Sequence, residues 1–101
     1  MADLKNSINE LIIFSIYSLN EGNKKSNFSN LIEECFSNFP EIFSFKEYPQ
    51  WPDARKLDRP LRDLRKKKIT VGGPQESFKL TSKGKKIARE VAKRLGQRKL
   101  L

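Results

Sequence analysis

Arg55, Arg59, Arg62 and Lys66 recur at i, i+4, i+7 and i+11 of one stretch, a spacing that puts all four on a single face of an α-helix. Leu57, Leu61 and Leu64 fall within about 60° of one another on the opposite side, at 100° per residue, and define an edge to be buried. Such a helix holds itself to a core by leucine and presents cations outward. The chemistry this suits is anion recognition. The planar fork of arginine can bond guanine O6 and N7 together, or clamp one phosphate. Arg65 and Lys56 flank the basic face. Lys67 and Lys68 end it with charge that also suits a helix C-terminus.

The charge of the whole chain has the same sense. Met1–Asp53 holds four Lys/Arg against eight Asp/Glu, and Ala54–Leu101 holds seventeen against four. The halves stand at −4 and +13, which together make the +9 of the chain. Folding does not need a field that lopsided, and self-repulsion opposes it. A polyanion favours it, because Lys and Arg release condensed counterions from a phosphate backbone. A lysine run alone is usually a solvated face, and Lys83, Lys85 and Lys86 are read in that way.

Other chemistries are poorly provided for. The chain has no histidine, and Cys35 is its sole cysteine. Zinc fingers, Cys/His pairs, Ser/His/Asp triads and an intrachain disulfide are thereby excluded. Gly72-Gly73 runs into Pro74 and not into a phosphate-binding helix. No catalytic residue, metal or cofactor is expected, and the chain is expected not to be an enzyme. The longest apolar run, Leu11-Ile12-Ile13-Phe14, is far short of the roughly 20 residues of a membrane span. Asp3 and Glu10 bracket an N-terminus unlike a secretory signal. A cytoplasmic protein without membrane contact is expected.

The elements that must carry the basic face can be read in turn. At 101 residues the chain is long enough for one domain with one modest core, over about residues 7–95. Ser7 and Glu10 form a capping box ahead of a helix from Ile8 to Asn20. Its stripe of Ile8, Leu11, Ile12, Ile16 and Leu19 is widened by Ile13, Phe14 and Tyr17, which suits core burial or a homodimer contact. A second helix follows from a cap at Ser26 or Asn27, with Phe28, Leu31, Ile32, Cys35, Phe36 and Phe39 in register. Pro40 closes it.

Residues 40 to 52 should form an ordered connection, with one turn of helix near Glu41–Phe45 and with Tyr48 and Trp51 roofing the core. Base stacking by either ring is the minor reading. Asp53 can cap the basic helix, which runs to about Lys67 with Pro60 kinking it; a start near Asp58 is the alternative. Ile69-Thr70-Val71 and Ser77-Phe78-Lys79-Leu80 read as two strands about a glycine turn. Thr81 or Ser82 caps a last helix to about Leu95, seamed by Ile87, Val91 and Leu95. The tail from 96 to 101 should fray.

Two stretches carry a family resemblance. Arg59-Pro60-Leu61-Arg62-Asp63-Leu64-Arg65-Lys66-Lys67-Lys68-Ile69 resembles a recognition helix running into the first strand of a wing. Phe78-Lys79-Leu80-Thr81-Ser82-Lys83-Gly84 resembles the return strand and the Leu-Thr-x-x-Gly start of the last helix in bacterial regulators. The chain thus resembles the winged helix-turn-helix superfamily: a mainly α fold with a three-helix core, a β-hairpin wing and a C-terminal helix. It departs from the pattern in the long connection at residues 40–52 and in having Lys68 where many members have glycine. The resemblance implies that the basic helix enters the major groove, with Arg55, Arg59, Arg62 and Lys66 toward the bases, and that Gly73, Gln75, Ser77 and Lys79 form the wing contact.

The function expected is double-stranded DNA binding, as a small transcriptional regulator or as the DNA-reading module of a larger system. A homodimer through the apolar first helix or the C-terminal helix fits that role. The rival readings are a protein-interaction winged helix within an assembly and an RNA-binding adaptor.

Overall fold

Ile12, Ile16 and Leu31 are wholly shielded from solvent, and the other elements are laid around them. A computed structural model describes residues 8–73 and 77–100, the last four of these by backbone alone. The chain runs α1 (Ile8–Glu21), α2 (Phe28–Asn38), α3 (Pro40–Phe43), α4 (Arg55–Lys66), β1 (Thr70–Val71), β2 (Lys79–Leu80) and α5 (Ser82–Leu100). The two strands pair antiparallel, Thr70 against Leu80 and Val71 against Lys79. The fold is therefore mainly helical with one small hairpin. Among the described residues no helix is long and apolar enough to cross a membrane.

The apolar stripe of α1 is used inside the molecule. The helix packs against α5, α2 and α4, burying Leu11, Ile12, Ile13, Ile16 and Leu19. Ile8 stays exposed, and Phe14 and Tyr17 are half-buried. Ser7, the other half of the expected capping box, lies outside the described residues, while Glu10 reaches across to Arg94 of α5 at 3.0 Å. The helix stops by a Schellman arrangement. Asn23, at φ +59°, takes the left-handed position, and Lys24 N–H donates to the Leu19 carbonyl at 2.9 Å.

α2 is capped by Asn27, whose side-chain oxygen accepts from Asn30 N–H at 2.9 Å. It ends where Pro40 pushes Phe39 out of helical geometry, to φ −136° and ψ 62°. Pro40 then opens α3, in the first-turn position where its missing N–H is no loss. Cys35 faces inward and is fully buried. Burial pushes its thiol up to about 12, a rise that a hydrogen bond with Ser15 only partly counters. It packs as a small apolar group.

Tyr48 and Trp51 do not roof the core. Their side chains are 51% and 55% exposed, and Phe43 fills the place beneath the loop with no exposure at all. Two successive turns turn the loop outward. Tyr48 N–H bonds the Phe45 carbonyl at 3.2 Å, and Trp51 N–H bonds the Tyr48 carbonyl at 3.0 Å.

α4 runs unbroken from Arg55 through Pro60, so the later start near Asp58 is not taken. Asp53 serves it from one step outside, its Oδ1 accepting from Arg55 N–H at 3.1 Å. Pro60 removes the bond to the Lys56 carbonyl, at a cost of about 3 kcal/mol in a helix interior. Leu57, Leu61 and Leu64 are all buried, and each contributes about 1.5–3 kcal/mol. The three together outweigh the proline and fix how far the helix is rotated about its axis.

The end of α4 is a second Schellman arrangement. Ile69 N–H donates to the Leu64 carbonyl at 2.9 Å and Lys68 N–H to the Arg65 carbonyl at 3.0 Å. Lys68 occupies the left-handed position, φ +60°, which explains why glycine would be at home there. The strain of an L-residue in that conformation is about 1–2 kcal/mol. Glycine gives part of it back as unfolded-state entropy. Lys68→Gly is expected to stabilise the fold by about 0.5–1 kcal/mol, read as a rise in the midpoint of urea unfolding with an unchanged slope.

α5 starts at Thr81, whose Oγ1 accepts from Gly84 N–H at 3.2 Å and donates to the Lys68 carbonyl at 2.8 Å. Ala88 and Val91 form its buried seam, with Ile87, Ala92 and Leu95 half-buried beside them. The helix continues past Leu95 through Gly96 to Leu100, where a frayed tail was expected. A lone glycine weakens a helix by about 1 kcal/mol and ends it chiefly where the backbone turns left-handed. Gly96 has no positive φ.

Candidate nucleic-acid interface

Because the leucines hold α4 in one rotational setting, the opposite face is set as well. Arg55, Arg59, Arg62 and Lys66 are all exposed. They span about 16 Å of helix axis, and an α-helix is narrow enough for the major groove of B-DNA. Among the described residues Arg59, Arg62 and Lys66 form no ion pair.

Arg55 and the two flanking cations are engaged differently. Arg55 is held beside Asp53, Nε to Oδ1 at 3.3 Å, and its guanidinium lies 5.4 Å from the centre of the Phe45 ring. Its side chain remains 78% exposed, so the ion pair orients the arginine without hiding it. Lys56 turns away from the basic face. Its Nζ donates to the Ile42 carbonyl at 2.7 Å and the Ser44 carbonyl at 3.2 Å, closing the end of α3. Arg65 is exposed and reaches the hairpin, Nη1 to the Gly72 carbonyl at 3.3 Å. That bond joins the end of the basic helix to the residue that follows β1 in the hairpin.

Gly72 is required there by geometry. It sits at φ +97°, and a Cβ on it would run into the Ser77 carbonyl across the hairpin. Gly73 and Ser77 are half-buried at the same end, and Gln75 lies outside the described residues. Lys79 is exposed on β2, opposite the buried Phe78 and Leu80.

The structure divides these residues between two clefts. Arg62 and Arg65 share one of about 390 Å³ with Asp58, Phe28, Leu61 and Phe78. Lys79 lines another of about 320 Å³ with Lys85 and Arg89 of α5. The hairpin lysine is therefore grouped with Lys85, one of the lysines read from sequence as a solvated face, and with Arg89, while Glu21 of α1 lines the same cleft. Their grouping is available only from the fold, because it depends on how α5 follows β2 through Thr81. Among the described residues no three His, Cys, Asp or Glu side chains gather closely enough to hold a metal ion.

Compared with family models, curated proteins and solved structures, the chain has no match. The site must be judged on its geometry and charge.

Proposed function

We propose that this protein binds double-stranded DNA, laying α4 in the major groove and bringing the hairpin to the flanking backbone in the manner of a winged helix-turn-helix. The observation that carries the reading is the outward face of α4. Arg59, Arg62 and Lys66 are exposed and unpaired among the described residues, on a helix whose setting three buried leucines fix. Solubility alone does not call for one helix face to be wholly cationic while the first half of the chain is acidic. Base edges would be read by Arg55, Arg59, Arg62 and Lys66. Arg65, Lys79 and the hairpin end would hold phosphates and position the helix.

The protein would act in the cytoplasm as a small transcriptional regulator, or as the DNA-reading part of a larger system. A homodimer through α5 or the exposed flank of α1 would present two such helices to one duplex.

Salt titration tests the reading. With about five to seven phosphates contacted, log K against log salt for a duplex should fall with a slope of roughly −5 to −6. The measurement is fluorescence anisotropy of a labelled duplex, with single-stranded DNA and structured RNA run beside it. A slope near zero removes nucleic acid and leaves an acidic protein as the partner. A preference for RNA over duplex DNA by the same assay removes the major-groove placement.

A further inference from the structure

Tyr48 and Trp51 are the two most exposed large apolar side chains among the described residues, and neither belongs to the core cluster. They are nevertheless held in a defined arrangement. The ends of their loop are tied by the bridge between Ser44 and Pro52, by Phe45 N–H to the Trp51 carbonyl at 3.0 Å, and by Asp53 N–H to the Phe43 carbonyl at 2.7 Å. Within it, Tyr48-Pro49-Gln50-Trp51 is a turn closed by a 3.0 Å bond, with proline in the second position, where its fixed φ belongs. A turn of that kind sets its first and fourth side chains next to each other. The two rings stack, with centroids 5.2 Å apart and planes inclined by 22°.

A pre-stacked pair with so much of its surface in water is a platform for a third flat ring. Position decides which ring. Phe45 accepts and donates the bonds that shape the loop, and the Arg55 guanidinium lies over its ring at 5.4 Å. Arg55 is the first residue of α4, so the platform adjoins the N-terminal end of the basic face. Lys46 and Glu47 in the same loop offset each other, and Arg55, although paired with the largely buried Asp53, keeps its own side chain 78% exposed toward a phosphate. A nucleic acid strand followed along α4 toward its N-terminus would pass from arginine onto exposed aromatic surface.

We propose that Tyr48 and Trp51 form a stacking site for an unpaired base of the bound DNA. The favoured ligand is then a duplex that carries a single-stranded extension at the end facing the start of α4. Stacking on such rings tolerates any base and is worth about tenfold or more in affinity per base. The inference rests on the DNA reading of α4, but it concerns a different part of the ligand.

Trp51 is the only tryptophan of the chain, so its emission reports on this site alone. The test titrates the full chain with a blunt duplex and with the same duplex bearing a short single-stranded overhang. The overhang duplex should bind about tenfold more tightly and quench Trp51, while the blunt duplex should leave the emission nearly unchanged. Trp51→Ala should bind the blunt duplex as the parent does and lose the overhang preference, whereas Trp51→Phe should keep part of it. Both substitutions are at a side chain outside the core, and circular dichroism verifies the fold. Equal affinity of the parent for the two duplexes, or an overhang preference that survives Trp51→Ala, overturns the stacking site and leaves duplex binding by α4 standing. Failure to bind either duplex overturns both.

Discussion

Glutamate in place of Arg59 or Arg62 is expected to abolish duplex binding while leaving thermal unfolding where it is. Both side chains project from α4 on the side away from Leu57, Leu61 and Leu64, and neither is tied to a carboxylate among the described residues. Losing one bidentate contact costs about 1–3 kcal/mol. Reversal adds repulsion from the phosphates that the same position would otherwise attract, so a fall of about a hundredfold or more is expected at moderate salt. Lys56→Ala makes the contrast. Its Nζ serves the carbonyls of Ile42 and Ser44, so its removal should lower stability by about 1 kcal/mol or more, with a smaller effect on binding. Unfolding of Arg59→Glu would show that α4 is rotated otherwise. Normal binding by both reversals would remove α4 from the interface.

The setting of α4 was legible in the sequence because the signal is periodic. Three leucines at i, i+4 and i+7 leave one rotation that buries them all, and the basic face follows from it. The same holds for α2, where Asn27 and Pro40 also mark the ends. Legibility failed where there was no period. Residues 44 to 52 are rich in aromatic and proline residues, which says that the loop is ordered but not which way it faces. The turn bonds of Tyr48 and Trp51 decide that, and they carry both rings outward.

Lys56 shows a related limit. A helical wheel places it beside the basic face, but it cannot reveal that the end of α3 comes close enough to claim its ammonium group. The grouping of Lys79 with Lys85 and Arg89 was hidden for the same reason, since it depends on how β2 turns into α5.

Gly84→Ala is expected to cause the largest loss of stability of any single methyl added to this chain's described helices. A Cβ at Gly84 would press into the Ile69 carbonyl oxygen and stand 3.2 Å from two carbons of the Leu80 side chain. The carbonyl has little room to yield, because it already accepts Thr81 N–H at 3.0 Å, the bond that ties the start of α5 to the residue just before β1. Leu80 is buried and cannot swing out. Overpacking against a fixed backbone should cost about 3 kcal/mol, a fall of roughly 12–24 °C in the unfolding midpoint for a domain of this size. Gly96→Ala is the matched control in the same helix. Nothing lies within 4 Å of a Cβ there, so the change should stabilise by up to about 1 kcal/mol through helix propensity alone. Opposite signs in the two variants, measured by calorimetry, would show that Gly84 is present for close approach and not for flexibility. The contact matters beyond stability. Ile69 ends the Schellman turn of α4, Leu80 lies on β2, and Gly84 brings α5 against both, so this one junction sets where the hairpin stands relative to Arg62 and Arg65. A Gly84→Ala chain that still folds at low temperature should therefore bind duplex less well than its intact basic face would allow.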